Sequence, residues 1–210
     1  YTYLESKKVP STKIRHRARW EEVNLINALI HNKSGDGIIG VQARKALKRL
    51  PSAIYWQGLG AWGIRLFSGS LGSYHHTLDG FYAANNQTYQ VNGENRNQYE
   101  INEMQLRQAY NWHPGVRDLR PANFPEEATF DLSLEEASYL QERIMSSQPG
   151  SLLASFVAEP SLFPRTNFPW EHPAQGTLPS YLQEQLTHAR LFSLVIYGAT
   201  LLYNLMLAEK

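Results

Sequence analysis

The sequence contains no cysteine among its 210 residues. This absence excludes disulfide-stapled folds, zinc sites with thiolate ligands and cysteine nucleophiles. It also agrees with a reducing compartment, and we expect the protein to be cytoplasmic. Charged residues amount to 19% and hydrophobic residues to 42% of the chain. That balance is typical of a folded domain with a core and excludes a disordered or collagen-like chain.

Several motifs that carry chemistry are also missing. The sequence has no phosphate-binding loop, no nucleophile elbow and no His-Glu-x-x-His helix. Gly58, Gly60 and Gly63 have the spacing of a dinucleotide-binding turn, but no strand precedes them. We therefore assign no catalytic residue, no cofactor and no metal, and we favour a protein that is not an enzyme.

Period-two alternation is absent, and helical spacing of apolar residues recurs along the chain. Pro10 and Ser11 predict a helix start, and Ser133 with Glu136 forms a capping box before another helix. Further helices are predicted near residues 39–50, 54–64, 74–82, 152–157 and from 180 onwards. These patterns predict an all-α fold, an irregular helical bundle with long loops.

The last predicted helix has no charged residue from 191 to 208. Eighteen residues are just long enough to span a bilayer. A central helix surrounded by other helices is also apolar on every face. We favour the buried helix, because the other elements need a core to pack against, and we expect no membrane contact.

The chain is expected to be a single helical domain, residues 1–210, from a larger protein, since it begins at Tyr1 and its last helix lacks a stop signal. An Asn/Gln-rich tract at 85–111 predicts a surface excursion. The segment 159–179 holds five prolines and predicts an extended connection.

Histidines suggest two weak sites. His75 and Asp79 lie four residues apart, which suits a carboxylate-oriented imidazole or an ordinary surface hydrogen bond. His113, Glu171 and His172 lie in two Trp/His/Pro corners. The corners either form one hydrolase-type cleft or are two packed turns, and we favour the turns.

Positive charge is concentrated early in the chain. Residues 1–70 contain twelve Lys and Arg against four Asp and Glu, whereas the remainder contains eight against fifteen. The basic half meets either phosphates or the acidic half of its own chain. The predicted nucleic-acid-binding residues are Lys13, Arg15, Arg17, Arg19, Arg44, Lys45, Lys48, Arg49 and Arg65.

Particular stretches resemble an uncharacterised bacterial family of unknown function. They include VPSTKIRHRAR (9–19), KRLPSAIYWQGLG (48–60), WHPG (112–115), PWEHP (169–173) and LLYNLMLAEK (201–210). The resemblance implies an accessory protein of phage-defence islands, encoded near helicase-like and phospholipase-D-like proteins. It brings no catalytic residues.

Together these observations suggest a non-enzymatic component of an anti-phage system that contacts nucleic acid through its basic N-terminal face. One alternative is a scaffold for a helicase or nuclease partner. Another is a hydrolase that uses His113, Glu171 and His172. The sequence leaves the oligomeric state open.

Overall fold

The structure is a computed structural model that describes residues 1–32, 37–91, 109–158 and 166–209. Within these ranges the chain forms helices and turns without a strand, so the all-α fold class is confirmed. One isolated antiparallel bridge joins Arg65 to Trp112. The helices are α1 (Thr2–Ser6), α2 (Ser11–His31), α3 (Pro51–Ala61), α4 (Leu71–Val91), α5 (Gly115–Asp118), α6 (Leu134–Ser147), α7 (Leu152–Ala158) and α8 (Ser180–Ala208).

The helix starts predicted at Ser11 and after Ser133 are confirmed. Helix α2 begins at Ser11. The preceding residue, Pro10, has an extended backbone, so the helix does not extend further toward the N-terminus. Before α6, the Ser133 amide donates to Glu136 Oε2 at 2.8 Å, and the Glu136 amide donates to Ser133 Oγ at 3.2 Å. This reciprocal pair is the predicted capping box.

The helix predicted at 39–50 is wrong in the part that the structure describes. Only Arg44–Ala46 forms a short 3₁₀ turn there. Gly37 and Gly40 have φ values of +95° and +91°, which break a right-handed helix. A Cβ on Gly40 would also lie 2.8 Å from the Leu47 side chain, so packing adds to the preference for glycine that the positive φ imposes.

The structure describes only parts of the Asn/Gln-rich tract and of the Pro-rich connection. Helix α4 continues to Val91, so the start of the expected 85–111 excursion is helical, and 92–108 lie outside the described residues. In the Pro-rich connection, 159–165 also lie outside them. The rest of that connection contains 3₁₀ turns at Pro169–Glu171 and Pro173–Thr177.

The described chain divides into two compact units, Tyr1–Arg143 and Ile144–Lys210. The assignment of 1–210 to one domain stays a prediction, and each unit is described by itself. In the first unit, α2 packs against α1 and α4. Its core consists of Leu4, Ile14, Ala18, Trp56, Tyr74, Leu78 and Trp112.

A buried carboxylate ties the helices of the first unit together. Glu5 Oε1 accepts hydrogen bonds from Tyr74 Oη at 2.8 Å and from Asn111 Nδ2 at 2.9 Å. Its other oxygen lies 3.6 Å from Arg117 Nη2. Because a buried charge is tolerated only when it is paired, this network holds α1, α4 and α5 in one arrangement.

Arg65 is another buried charge of this unit. Its guanidinium lies 4.6 Å from the Trp56 ring centroid and donates to the carbonyl oxygens of Trp56 and Phe67. The same guanidinium covers Gly60 of α3, where any Cβ would collide with it. Burial lowers the pKa of Arg65, but its hydrogen bonds satisfy the cation.

The long apolar C-terminal helix is confirmed, but its expected burial is wrong. Leu182 and Leu186 are 1% exposed. Beyond them the large apolar side chains are at least half exposed, and α8 is long and apolar enough to cross a membrane. The first unit needs no such helix, because α1–α4 build a core of their own. The exposed side chains are Leu191, Phe192, Leu194, Val195, Ile196, Tyr197, Leu201, Leu202, Tyr203, Leu205, Met206 and Leu207.

Two leucines of α8 give a matched test of this placement. We expect Leu186→Ala to lower the free energy of unfolding by about 2–5 kcal/mol, because it opens a cavity in a packed site. Leu202→Ala removes an exposed side chain and should change stability by less than about 0.5 kcal/mol. Urea denaturation measures both values, and equal losses would show that residue 202 is covered in solution.

The buried His75 predicts a pH dependence of stability. Its Nε2 lies 3.0 Å from Tyr1 Oη. Burial, with smaller contributions from Arg15 and His76, lowers its pKa from the ordinary value of 6.5. As the pH falls through about 6.5, the unfolded chain binds a proton that the folded chain does not, so stability decreases.

We therefore expect urea denaturation to show a smaller loss of stability between about pH 7.5 and pH 5.5 in His75→Gln than in the wild type. The other six histidines are common to both proteins. Parallel curves for the two proteins would contradict the assignment of this loss to His75.

Candidate nucleic-acid interface

The outer face of α2 combines positive charge, an indole and amides. Its inner face is buried through Ile14, Ala18, Val23, Ile26 and Leu29. Residues on the opposite face recur at helical spacing, so packing of the inner face determines which side chains reach solvent. The outer face carries Lys13, His16, Arg17, Trp20, Asn24 and Asn27.

Two surface pockets follow this face. The first, of about 450 Å³, lies between α1 and the start of α2 and includes Lys7, Lys13 and Arg17. The second, of about 390 Å³, is lined by His16, Arg19, Trp20, Val23, Asn24, Asn27 and Lys45. His16 lines both pockets, and we call the pair the α2 groove.

The side chains of Arg17 and Trp20 contact each other in the groove. The Arg17 guanidinium lies 4.4 Å from the Trp20 ring centroid, within the range of a cation–π contact. Arg17 Nη2 also lies 2.9 Å from Glu21 Oε1. Its side chain nevertheless stays 46% exposed, and a guanidinium has five N–H donors, so it can also bind an anion.

Arg19 has a positioning role. Its Nη2 donates to the carbonyl oxygens of Lys45 and Leu47 at 2.7 and 2.8 Å. These bonds hold the turn after Gly40 against α2 and bring Lys45 to the second pocket. Arg19 therefore shapes the groove by binding the backbone of the turn that carries Lys45.

The other predicted cations are spread over different surroundings. Arg15 is exposed, and its charge contributes to lowering the His75 pKa. Lys48 and Arg49 are exposed ahead of α3, and Arg44 Nε donates to the Val41 carbonyl. These last three do not line the groove, because the helix expected to carry them is a turn.

Arg65 lies outside any surface for phosphates. It is 6% exposed, and backbone carbonyls and Trp56 surround its guanidinium. We therefore remove Arg65 from the predicted interface. Although Arg65 belongs to the basic half of the sequence, its side chain stabilises the interior of the first unit.

Intrachain carboxylates leave much of the early charge uncovered. Glu21 pairs with Arg17, and Glu22 accepts hydrogen bonds from the Ser52 amide and hydroxyl. Within the described ranges, no ion pair joins Lys13 or Lys45 to a carboxylate. The groove thus keeps cations that are available to a phosphate.

The histidines of the two weak sites contact other residues within their own units. Asp79 Oδ1 accepts the Ser11 amide at 3.0 Å, while His75 faces Tyr1. His113 contacts Tyr139 and Arg143 in the first unit. His172 belongs to the second unit and stacks on Phe156 with the centroids 4.8 Å apart. No group of three or more His, Cys, Asp or Glu in the described ranges is arranged to hold a metal.

The sequence analysis missed the uncharged half of the groove. Trp20, Asn24 and Asn27 follow Lys13 at intervals of seven, eleven and fourteen residues, which places them on one helical face. The charge pattern alone does not reveal these three residues. The helical spacing that predicts the buried face of α2 also predicts the opposite, exposed face.

Comparison with known proteins identifies a family. The model of the "Family of unknown function (DUF6361)" matches residues 1–87 and 100–210. The unmatched residues lie in the Asn/Gln-rich tract. No curated protein and no solved structure matches the chain. The chain belongs to the DUF6361 family of unknown function.

Proposed function

We propose that this chain is a non-enzymatic, cytoplasmic component of a bacterial anti-phage defence system and that it contacts nucleic acid through the α2 groove. The observation that carries the nucleic-acid contact is the exposed face on which Lys13, Arg17 and Trp20 adjoin two pockets. The assignment to defence rests on the family resemblance of the quoted stretches.

Physical chemistry supports a phosphate ligand for this face. Cations that neutralise phosphates release condensed counterions, and this release is the main source of sequence-independent binding. Lys13 and Lys45 have exposed ammonium groups without a carboxylate partner in the described ranges. Arg17 adds a guanidinium whose direction is determined by Trp20 and Glu21.

Single charge reversals test this function. We expect Lys13→Glu to weaken binding of labelled DNA at low salt and to reduce the salt slope by about one, because one phosphate contact is lost. Arg190→Glu is the matched control, since Arg190 is an exposed cation on α8. Fluorescence anisotropy across a salt titration measures both.

Both substitutions affect exposed side chains, so thermal stability should change little. Equal affinities and salt slopes for the wild type and Lys13→Glu would reject the α2 groove as the nucleic-acid interface. An equal loss in Arg190→Glu would show that net charge alone governs binding.

A scaffold for a helicase or nuclease is the second candidate, and the exposed half of α8 favours it. Soluble monomers rarely leave an apolar surface of this extent uncovered. A partner that packs on residues 191–207 would remove that surface from water. This contact uses the second unit and does not depend on the α2 groove.

Co-purification from the bacterial host tests the scaffold. We expect a helicase or nuclease, identified by mass spectrometry, to remain bound after nuclease treatment and to be lost in Leu194→Lys with Leu201→Lys, because the buried charges oppose association. Leu134→Lys is the control, since Leu134 is 79% exposed on α6. Flotation of the wild type with lipid vesicles, in place of such a partner, would contradict both the scaffold and the expectation of no membrane contact.

A further inference from the structure

The second pocket of the α2 groove has an unusual lining for a surface that binds only phosphates. Trp20, Val23 and two asparagines line it together with Lys45 and Arg19. Its volume of about 390 Å³ falls within the range of small-molecule sites. A protein that binds the backbone of a duplex requires accessible cations. An apolar pocket with amide groups suits an inserted base ring instead.

Trp20 supplies a stacking surface in this pocket. Trp20 is 48% exposed, so a ligand can reach its indole. Arg17 holds the ring in place through its guanidinium. Bases in a duplex stack on one another, so a protein aromatic ring reaches a base face only in an unpaired strand.

The asparagines supply hydrogen-bonding groups beside the indole. Asn24 and Asn27 lie one helical turn apart and line the same pocket as Trp20. Within the described ranges, neither the Asn24 nor the Asn27 side-chain amide makes a hydrogen bond. An amide offers both donors and an acceptor, which matches the mixed edges of an unpaired base.

Accessible cations lie in and beside this pocket. Lys45 lines it, while Arg17 and Lys13 line the other pocket of the groove, which shares His16 with it. From Lys13 to Asn27 the helix rises about 21 Å, given a rise of about 1.5 Å per residue. A strand that follows α2 therefore meets the phosphate-binding groups Lys13 and Arg17 before the base pocket and Lys45 within it.

We propose that the α2 groove binds single-stranded nucleic acid, with one unpaired base stacked on Trp20 and its edge hydrogen-bonded by Asn24 or Asn27. Lys13, Arg17 and Lys45 bind the flanking phosphates. This proposal rests on the proposed function and names its ligand class. DNA and RNA share the chemistry that the pocket recognises.

The test compares strands and variants of the 210-residue chain. Labelled oligothymidylate, its RNA counterpart and a DNA duplex of equal length are titrated by fluorescence anisotropy at one salt concentration. We expect the single strands to bind at least tenfold more tightly than the duplex. Trp20→Leu should weaken single-strand binding about tenfold or more, and Trp20→Phe should keep most of it.

Tyr55→Leu is the matched control, because Tyr55 is an aromatic residue of α3 with 54% exposure outside the groove. It should bind like the wild type. Tryptophan fluorescence gives a second measurement: stacking should quench part of the emission on binding, and Trp20→Leu should lack this quenching. Trp56 and Trp112 are buried and should contribute little to it.

The outcomes separate the two proposals. If the duplex binds as tightly as the single strands, or if Trp20→Leu binds like the wild type, the base pocket is rejected. The groove then stands as a phosphate-binding surface, provided that Lys13→Glu still weakens binding. If neither single strands nor the duplex binds at low salt, the proposed function and this inference both fail.

Discussion

The packing of α2 against α1 and α4 determines what the first unit presents to its surroundings. Ile14 and Ala18 belong to the same buried cluster as Tyr74 and Leu78. Ser11 reinforces this packing, because its amide donates to Asp79 and its hydroxyl accepts the Asp79 amide. With one face committed to the core, the opposite face must be the solvent face. Lys13, Arg17 and Trp20 therefore lie together because packing of the core determines which face of α2 is exposed.

Charge in this protein acts in two ways that a count along the chain does not distinguish. Lys13 and Lys45 are surface cations without a carboxylate partner in the described residues. Arg19 and Arg65 instead donate to backbone carbonyls, and Glu5 accepts from Tyr74 and Asn111. Burial of a charge is tolerated only with such partners. The early excess of positive charge is thus divided between a structural set and an accessible set, and only the accessible set can bind a polyanion.

Local signals predicted the helices well, because caps and periodicity act within a few residues. The capping box at Ser133 and the start at Ser11 are examples. The helix predicted at 39–50 does not form because Gly37 and Gly40 have positive φ and Gly40 approaches Leu47 and Ile26, although the apolar spacing of the segment suits a helix. The burial of α8 failed for a different reason: an apolar helix has the same composition in a core and on a surface. The sequence predicted the charged residues of the groove but not their arrangement. The position of Lys45, for example, depends on a long-range hydrogen bond from Arg19.

Gly60 and Arg65 illustrate how one interior contact constrains a sequence over generations. The guanidinium occupies the volume that any larger side chain at position 60 would need. A replacement of the glycine alone would displace the cation from Trp56 and leave its charge without partners in the interior. Substitutions at the two positions should therefore arise jointly, and an alignment of family members should show them as a covarying pair, with arginine at 65 only where 60 is glycine.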